Sequence, residues 1–185
     1  MKVKVTPSKV HGNVKIPASK SMAHRALICA SLSDGTSIVS NVTNSKDIEA
    51  TVGCMKALGA IIKQIDETTY EVTGTNLFKQ EGNITCNANE SGSTLRFLIP
   101  LAACTNAKVK FLGQGRLLQR PMDVYENEFK KQNIEFNQSD KEIIVSGNLQ
   151  AKDYVVQGDI SSQFITGFMF VLPLLDQDST LTITE

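Results

Sequence analysis

The feature that most constrains the fold of this chain is a pattern played through nearly three times. A short strand with alternating apolar residues runs into a loop of small polar residues, and the loop opens directly into an amphipathic helix. Ser21, Ser93 and Ser162 mark equivalent helix starts, roughly 70 residues apart, well beyond the usual solenoid period. The full round reads strand, helix, strand, helix, strand, strand. Residues 2–5 and 13–16 read as strands around a loop holding Pro7 and Gly12, followed by a helix over 20–33. Strand 36–42, a helix that starts within Thr43–Asp47 and runs to a Gly59 C-cap, and strands 60–65 and 70–73 complete the first round. The second has strand 82–86, a helix through Leu95, Leu98, Ile99 and Ala102, strand 108–112, a helix over 122–132, and strands 134–137 and 142–146. The third has strand 154–157, an apolar helix 164–175 and strand 179–184, where the sequence stops inside a unit and reads as truncated.

The loops between strand and helix hold the chemistry. In Ile16-Pro17-Ala18-Ser19-Lys20-Ser21-Met22-Ala23-His24-Arg25, both Ser19 and Ser21 are N-cap candidates. Ala23, Ala26, Leu27 and Ala30 form the apolar face of the helix that follows. Lys20 and Arg25 lie in its first turns, where the positive end of the helix dipole disfavours cations. A basic residue belongs there when an anion sits among the helix amides and the cations. If the three serine-marked helices are neighbours with their N-termini on one face, then Lys20, Arg25 and Arg120 surround one pocket for a phosphate or carboxylate. The competing reading is plainer: serine is a good cap, and all three sites are structural.

Composition narrows the partners. Hydrophobic residues make up 41% and charged residues 21%, enough to bury a core. Nineteen Lys and Arg balance 19 Asp and Glu, with no basic run, which argues against nucleic-acid or membrane-surface binding. No apolar run is long enough to span a bilayer. The four cysteines form no CxxC pair and read as free thiols of a reducing, cytoplasmic compartment. His11 and His24 have no Cys or carboxylate at ligand spacing and read as structural or surface residues.

Pro17-Ala18-Ser19-Lys20-Ser21 with Arg25-Ala26-Leu27 resembles the amino-terminal signature of the 5-enolpyruvylshikimate-3-phosphate (EPSP) synthases. Glu90-Ser91-Gly92-Ser93-Thr94-Leu95-Arg96 is similar to their second-unit loop, and Leu118-Gln119-Arg120-Pro121 and Ser161-Ser162-Gln163-Phe164 match two further motifs in order. The resemblance covers the whole chain but only the first part of the family, whose members are over twice as long. It implies an α/β (α+β) fold of repeated βαβαββ units, here two complete units and part of a third. Residues 1–16 would belong to the partner domain and residues 17–185 to the amino-terminal domain, truncated in its third repeat.

The implied activity is transfer of the enolpyruvyl group of phosphoenolpyruvate to the 5-hydroxyl of shikimate 3-phosphate, with release of phosphate and no metal or organic cofactor. By the same resemblance Lys20 contacts both substrates and steadies charge, Ser21 and Arg25 bind the shikimate moiety, and Gly92 lets backbone approach the phosphoenolpyruvate phosphate. Arg120 clamps phosphate or carboxylate, Ser161 and Ser162 hold the 3-phosphate, and Gln163 bridges the substrates. Glu90, where many members have Asn, and Phe97, where some have Pro, depart from the pattern. The carboxylates for proton transfer would lie in a carboxy-terminal domain outside this chain, leaving it inactive alone. An enolpyruvyl transferase acting on a UDP-amino sugar would share the repeat, but that branch carries a reactive cysteine in the loop equivalent to Gly113–Arg120, where this chain has none. A non-catalytic anion-binding module is the alternative of another class.

Overall fold

A computed structural model describes residues 2–9, 11–14 and 16–184. In the first unit, helix α1 (Lys20–Leu32) buries Ala23, Leu27 and Ile28. Strand β1 (Thr36–Val39), helix α2 (Lys46–Ala57) and strands β2 (Ile61–Gln64) and β3 (Tyr70–Thr73) follow, the strands pairing antiparallel in the order β1-β3-β2. Helix α2 ends as its sequence demands. Gly59 takes a φ of 101°, which frees the Gly59 and Ala60 amides to bond back to Lys56 and Met55 carbonyls.

The second unit repeats this plan with its first strand present. Strand β4 (Glu81–Asn87) leads to helix α3 (Gly92–Ala102), strand β5 (Asn106–Leu112), helix α4 (Asp123–Lys130) and strands β6 (Glu135–Gln138) and β7 (Ile143–Ser146). Their order is β4-β5-β7-β6, with β4 and β5 parallel and the other pairs antiparallel. Helix α4 ends as α2 does: Asn133, at φ 56°, stands where Gly59 stands in the first unit, and the Asn133 and Ile134 amides bond back to Lys130 and Phe129. Strand β8 (Asp153–Gln157), helix α5 (Ser162–Val171) and strand β9 (Thr180–Thr184) form the third round, β8 and β9 pairing in parallel as β4 and β5 do.

Two expectations change. Described residues of the segments 2–5 and 13–16 form no strand, and Val3, Val5, Val14 and Ile16 are all more than 70% exposed. A strand needs a partner edge and a covered face, and no described residue provides either. Met1, Val10, Lys15 and Glu185 lie outside the described residues. The last helix is also shorter than its apolar run: α5 stops at Val171 and gives way to a 3₁₀ turn at Leu172–Leu174 that contains Pro173.

Helix α3 is the centre of the molecule, with every residue from Thr94 to Ala102 buried except Arg96. Pro100 lies inside it and has no N–H, so the Arg96 carbonyl loses its helical donor. The Tyr125 hydroxyl replaces that donor at 2.6 Å. Gly167 makes room for this, since a Cβ there would stand 2.1 Å from Tyr125 Oη and 2.7 Å from the Arg96 carbonyl oxygen. Helix α5 can therefore lie close against α3, which sets the distance across the site below. Among the described residues no helix is long and apolar enough to cross a membrane. Cys54, Cys86 and Cys104 are buried and Cys29 exposed, all as free thiols.

Candidate anion-binding site

The serines that cap the repeated helices are Ser19, Ser91 and Ser161. Their side chains accept hydrogen bonds from the Met22, Thr94 and Gln163 amides respectively. The sequence-marked Ser21, Ser93 and Ser162 sit one or two residues further in, with side chains free for other work. This shift follows from capping geometry: the cap must be extended while the next residue is already helical. Ser19, Ser91 and Ser161 have φ/ψ of −69/109, −77/100 and −171/131 degrees.

The three helix starts converge. Gln163, in the first turn of α5, accepts from Arg96 Nη1 at 2.8 Å through Oε1 and donates to Ser93 Oγ at 2.9 Å through Nε2. Arg25 crosses from α1 to α5, donating to Thr166 Oγ1 at 3.2 Å while its other terminal nitrogen bonds the Ser21 carbonyl and hydroxyl. Its guanidinium carbon lies 5.1 Å from the centre of the Phe97 ring, so Phe97 is a platform for the cation. Arg120 reaches the start of α3, where a Cβ on Gly92 would stand 2.5 Å from its Nη1. Lys20 opens α1, and its ammonium pairs with the Asp47 carboxylate in the first turn of α2. Ser161 caps α5 half-buried, and Ser162 presents an exposed side chain beside it.

The electrostatics of this cluster are one-sided. Among the described residues no carboxylate lies within ion-pair distance of Arg25, Arg96 or Arg120. Burial and then the neighbouring Arg120 charge lower the Arg96 pKa from its ordinary value, and Arg96 Nε is buried without a hydrogen-bond partner. Glu90 adds no compensating ion pair: a Cβ on Gly115 would stand 2.6 Å from its Oε1. It borders a cleft of about 490 Å³ with Lys46, Asp47, Glu49, Asn89 and Gln114. Uncompensated guanidiniums around three helix N-termini are chemically suited to hold an anion.

The family model of EPSP synthase (3-phosphoshikimate 1-carboxyvinyltransferase) matches residues 4–185. This chain belongs to the EPSP synthase family. It is 47% identical over 185 residues to the 3-phosphoshikimate 1-carboxyvinyltransferase of Clostridium perfringens, covering 99% of this chain and 43% of that protein. With the same enzyme of Clostridioides difficile it shares 46% identity over 195 residues, or 98% of this chain and 44% of the other. The fold matches an EPSP synthase structure from Acinetobacter baumannii with a TM-score of 0.78 at 18% identity, over 94% of this chain and 40% of that one. The chain thus spans under half the length of the curated relatives it matches.

Within this EPSP synthase-family chain, the expected residues Lys20, Ser21, Arg25, Gly92, Arg120, Ser161, Ser162 and Gln163 all lie at the three converging helix starts or the loop beside them. Arg96, Asp47 and Thr166 join them without having been singled out for a role, and so does Ser93, marked in the sequence only as a helix start. For Arg96 a signal was available: it lies four residues after Gly92, one helical turn along the same face. Asp47 and Thr166 carried none, since only packing of α1 against α2 and α5 brings them to Lys20 and Arg25.

Proposed function

We propose that this chain forms the amino-terminal wall of an EPSP synthase active site. There the enolpyruvyl group of phosphoenolpyruvate is transferred to the 5-hydroxyl of shikimate 3-phosphate, and phosphate is released. The observation that carries the reading is the set of three arginines that, among the described residues, have no carboxylate partner, around the starts of α1, α3 and α5. In this proposal residues 17–185 are one domain and residues 1–16 belong with its partner, in a cytoplasmic enzyme.

Both substrates are polyanions, and the arrangement divides between them. Ser161, Ser162 and the first amides of α5 bind the 3-phosphate, with Ser21 and Arg25 on the ring hydroxyls and carboxylate. Gly92 and Arg120 take the phosphoenolpyruvate phosphate, and Gln163 lies between the two substrates. Lys20 is held at the rim by Asp47, placed to exchange that carboxylate for substrate charge as the C–O bond to phosphate breaks. Charge-assisted bonds of this kind contribute about 1.5–3 kcal/mol each. Transfer also needs a base for the 5-hydroxyl proton and an acid on the opposite side of the ligand, a task this reading gives to the rest of the protein.

The test is phosphate release from shikimate 3-phosphate and phosphoenolpyruvate, followed with this chain alone and after adding a separately prepared carboxy-terminal half. The chain alone should bind ligand weakly and turn nothing over, and the mixture should regain measurable release. Steady turnover by the purified chain alone would overturn the division of labour.

A further inference from the structure

We propose that His24 is a positioning residue for the anion site: through Thr51 and Thr94 it fixes the first turn of α3 and the backbone of Asp47, the residue that carries Lys20. The proposal rests on the anion-site reading given above.

His24 lies on the inner side of α1, 1% exposed. Its Nδ1 is 2.7 Å from Thr51 Oγ1 on α2, and Thr51 Oγ1 is 2.7 Å from Thr94 Oγ1 on α3. Thr94 Oγ1 lies 2.7 Å from the Ser91 hydroxyl and 3.3 Å from the Asp47 carbonyl oxygen. Thr51, Thr94 and Ser91 are all at most 2% exposed. One buried polar chain thus ties together the starts of three helices.

Counting hydrogens gives this chain a direction. Thr94 has one hydroxyl hydrogen, and the geometry makes Thr94 the donor toward the Ser91 hydroxyl and toward the Asp47 carbonyl, which can only accept. In either case Thr51 must donate to Thr94, so Thr51 can only accept from the imidazole. His24 is then the neutral Nδ1–H tautomer. Its Nε2 is a bare acceptor, and that atom is buried without a partner, while the ring meets Phe97 edge-on with centroids 6.3 Å apart.

What the chain holds in place is functional. Ser91 caps α3 through the Thr94 amide, which leaves the Gly92 and Ser93 amides of the first turn without helical acceptors, at a helix start that the Arg120 guanidinium also reaches. Short buried hydroxyl bonds tolerate less sliding than apolar contact, so the imidazole fixes how far α3 projects beside α1.

The experiment is nuclear magnetic resonance on the 15N-labelled chain with two variants, Thr51→Val and Thr51→Ser, using inorganic phosphate as probe. In the unmodified chain His24 should show a protonated Nδ1 and an unprotonated Nε2. Thr51→Val should shift the Gly92, Ser93 and Thr94 amides, speed exchange of the Thr94 amide, and weaken phosphate binding about tenfold, the equivalent of one hydrogen bond; Thr51→Ser should restore all three. An Nε2–H tautomer overturns the proposal, and so does a Thr51→Val chain that melts lower but leaves those amides unmoved. If phosphate fails to shift the first-turn amides of the unmodified chain, the anion reading falls, while tautomer and amide positions still decide the role of His24.

Discussion

Helices α1, α3 and α5 begin differently from α2 and α4. The first three have no acidic residue in the first turn, whereas a serine cap does not set them apart, since Ser45 caps α2 in the same way. Helix α2 carries Asp47 and Glu49 in its first turn and Lys56 in its last, and α4 carries Asp123 and Glu126 with Lys130 at its end. Acids at the start and bases at the end complement the helix dipole by about 0.3–1 kcal/mol each. The converging helices forgo that contribution and add Lys20, Arg25 and Arg96 to ends that are already positive. A helix that serves only the fold settles its own dipole; these three leave it open, which is the arrangement the proposed anion site needs.

The comparison breaks most sharply if an acid is placed where none occurs. Ser93→Asp puts a carboxylate in the first turn of α3. Like charges about 4 Å apart near a protein surface repel by about 4 kcal/mol, so phosphate affinity should fall about a thousandfold. Calorimetric titration with phosphoenolpyruvate checks this, and unchanged affinity would mean that the helix start does not face the ligand.

A second test uses acid. Burial pushes the His24 pKa down from 6.5 to about 4, against a smaller upward pull from Asp47 and with help from Lys20 and Arg25. The folded state keeps the ring neutral, whereas the unfolded chain takes a proton below about pH 6.5. Stability contributed by the neutral ring is therefore present above pH 6.5 and lost as pH falls toward 4, by up to about 3 kcal/mol at 1.36 kcal/mol per unit. Urea unfolding at pH 7 and pH 4.5 should show this loss, and a His24→Gln chain should lose less over the same window.

Removing a cation should act on binding without touching the fold. Arg120→Ala should weaken phosphate binding by about tenfold to a hundredfold, the equivalent of one charge-assisted bond, while changing stability by less than about 0.5 kcal/mol because the residue is exposed. Lys20→Met should behave alike. A lower melting temperature with intact affinity would make either residue structural. The smallest effect belongs to the contrasting helix: Asp123→Asn should cost α4 about 0.3–1 kcal/mol in thermal unfolding and leave phosphate affinity where it was.

Much of this was legible in the chain. Periodicity placed all five helices, and Gly59 marked the end of the second, because these signals act within a few residues of sequence. Serine as a cap was legible too, but its position was not. Ser19 and Ser21 both satisfy the pattern, and only the backbone angles assign the cap to Ser19. The strands expected over 2–5 and 13–16 failed for a different reason, since alternation specifies a face to be buried but not the partner that buries it.

The sequence by itself determined the repeat, the helix starts and the residue types an anion requires, because hydrogen bonds between near neighbours and local apolar spacing decide them. Tertiary structure alone decided which side chains meet. Tyr125 reaches the carbonyl freed by Pro100, and Gly167 lets α5 close on α3, so Gln163 joins Arg96 and Ser93 across 67 and 70 residues of chain. The same packing turns His24, isolated in the sequence, into the end of a buried chain through Thr51 and Thr94. Contacts between distant residues are set by the fit of whole helix faces, and no local pattern encodes that fit.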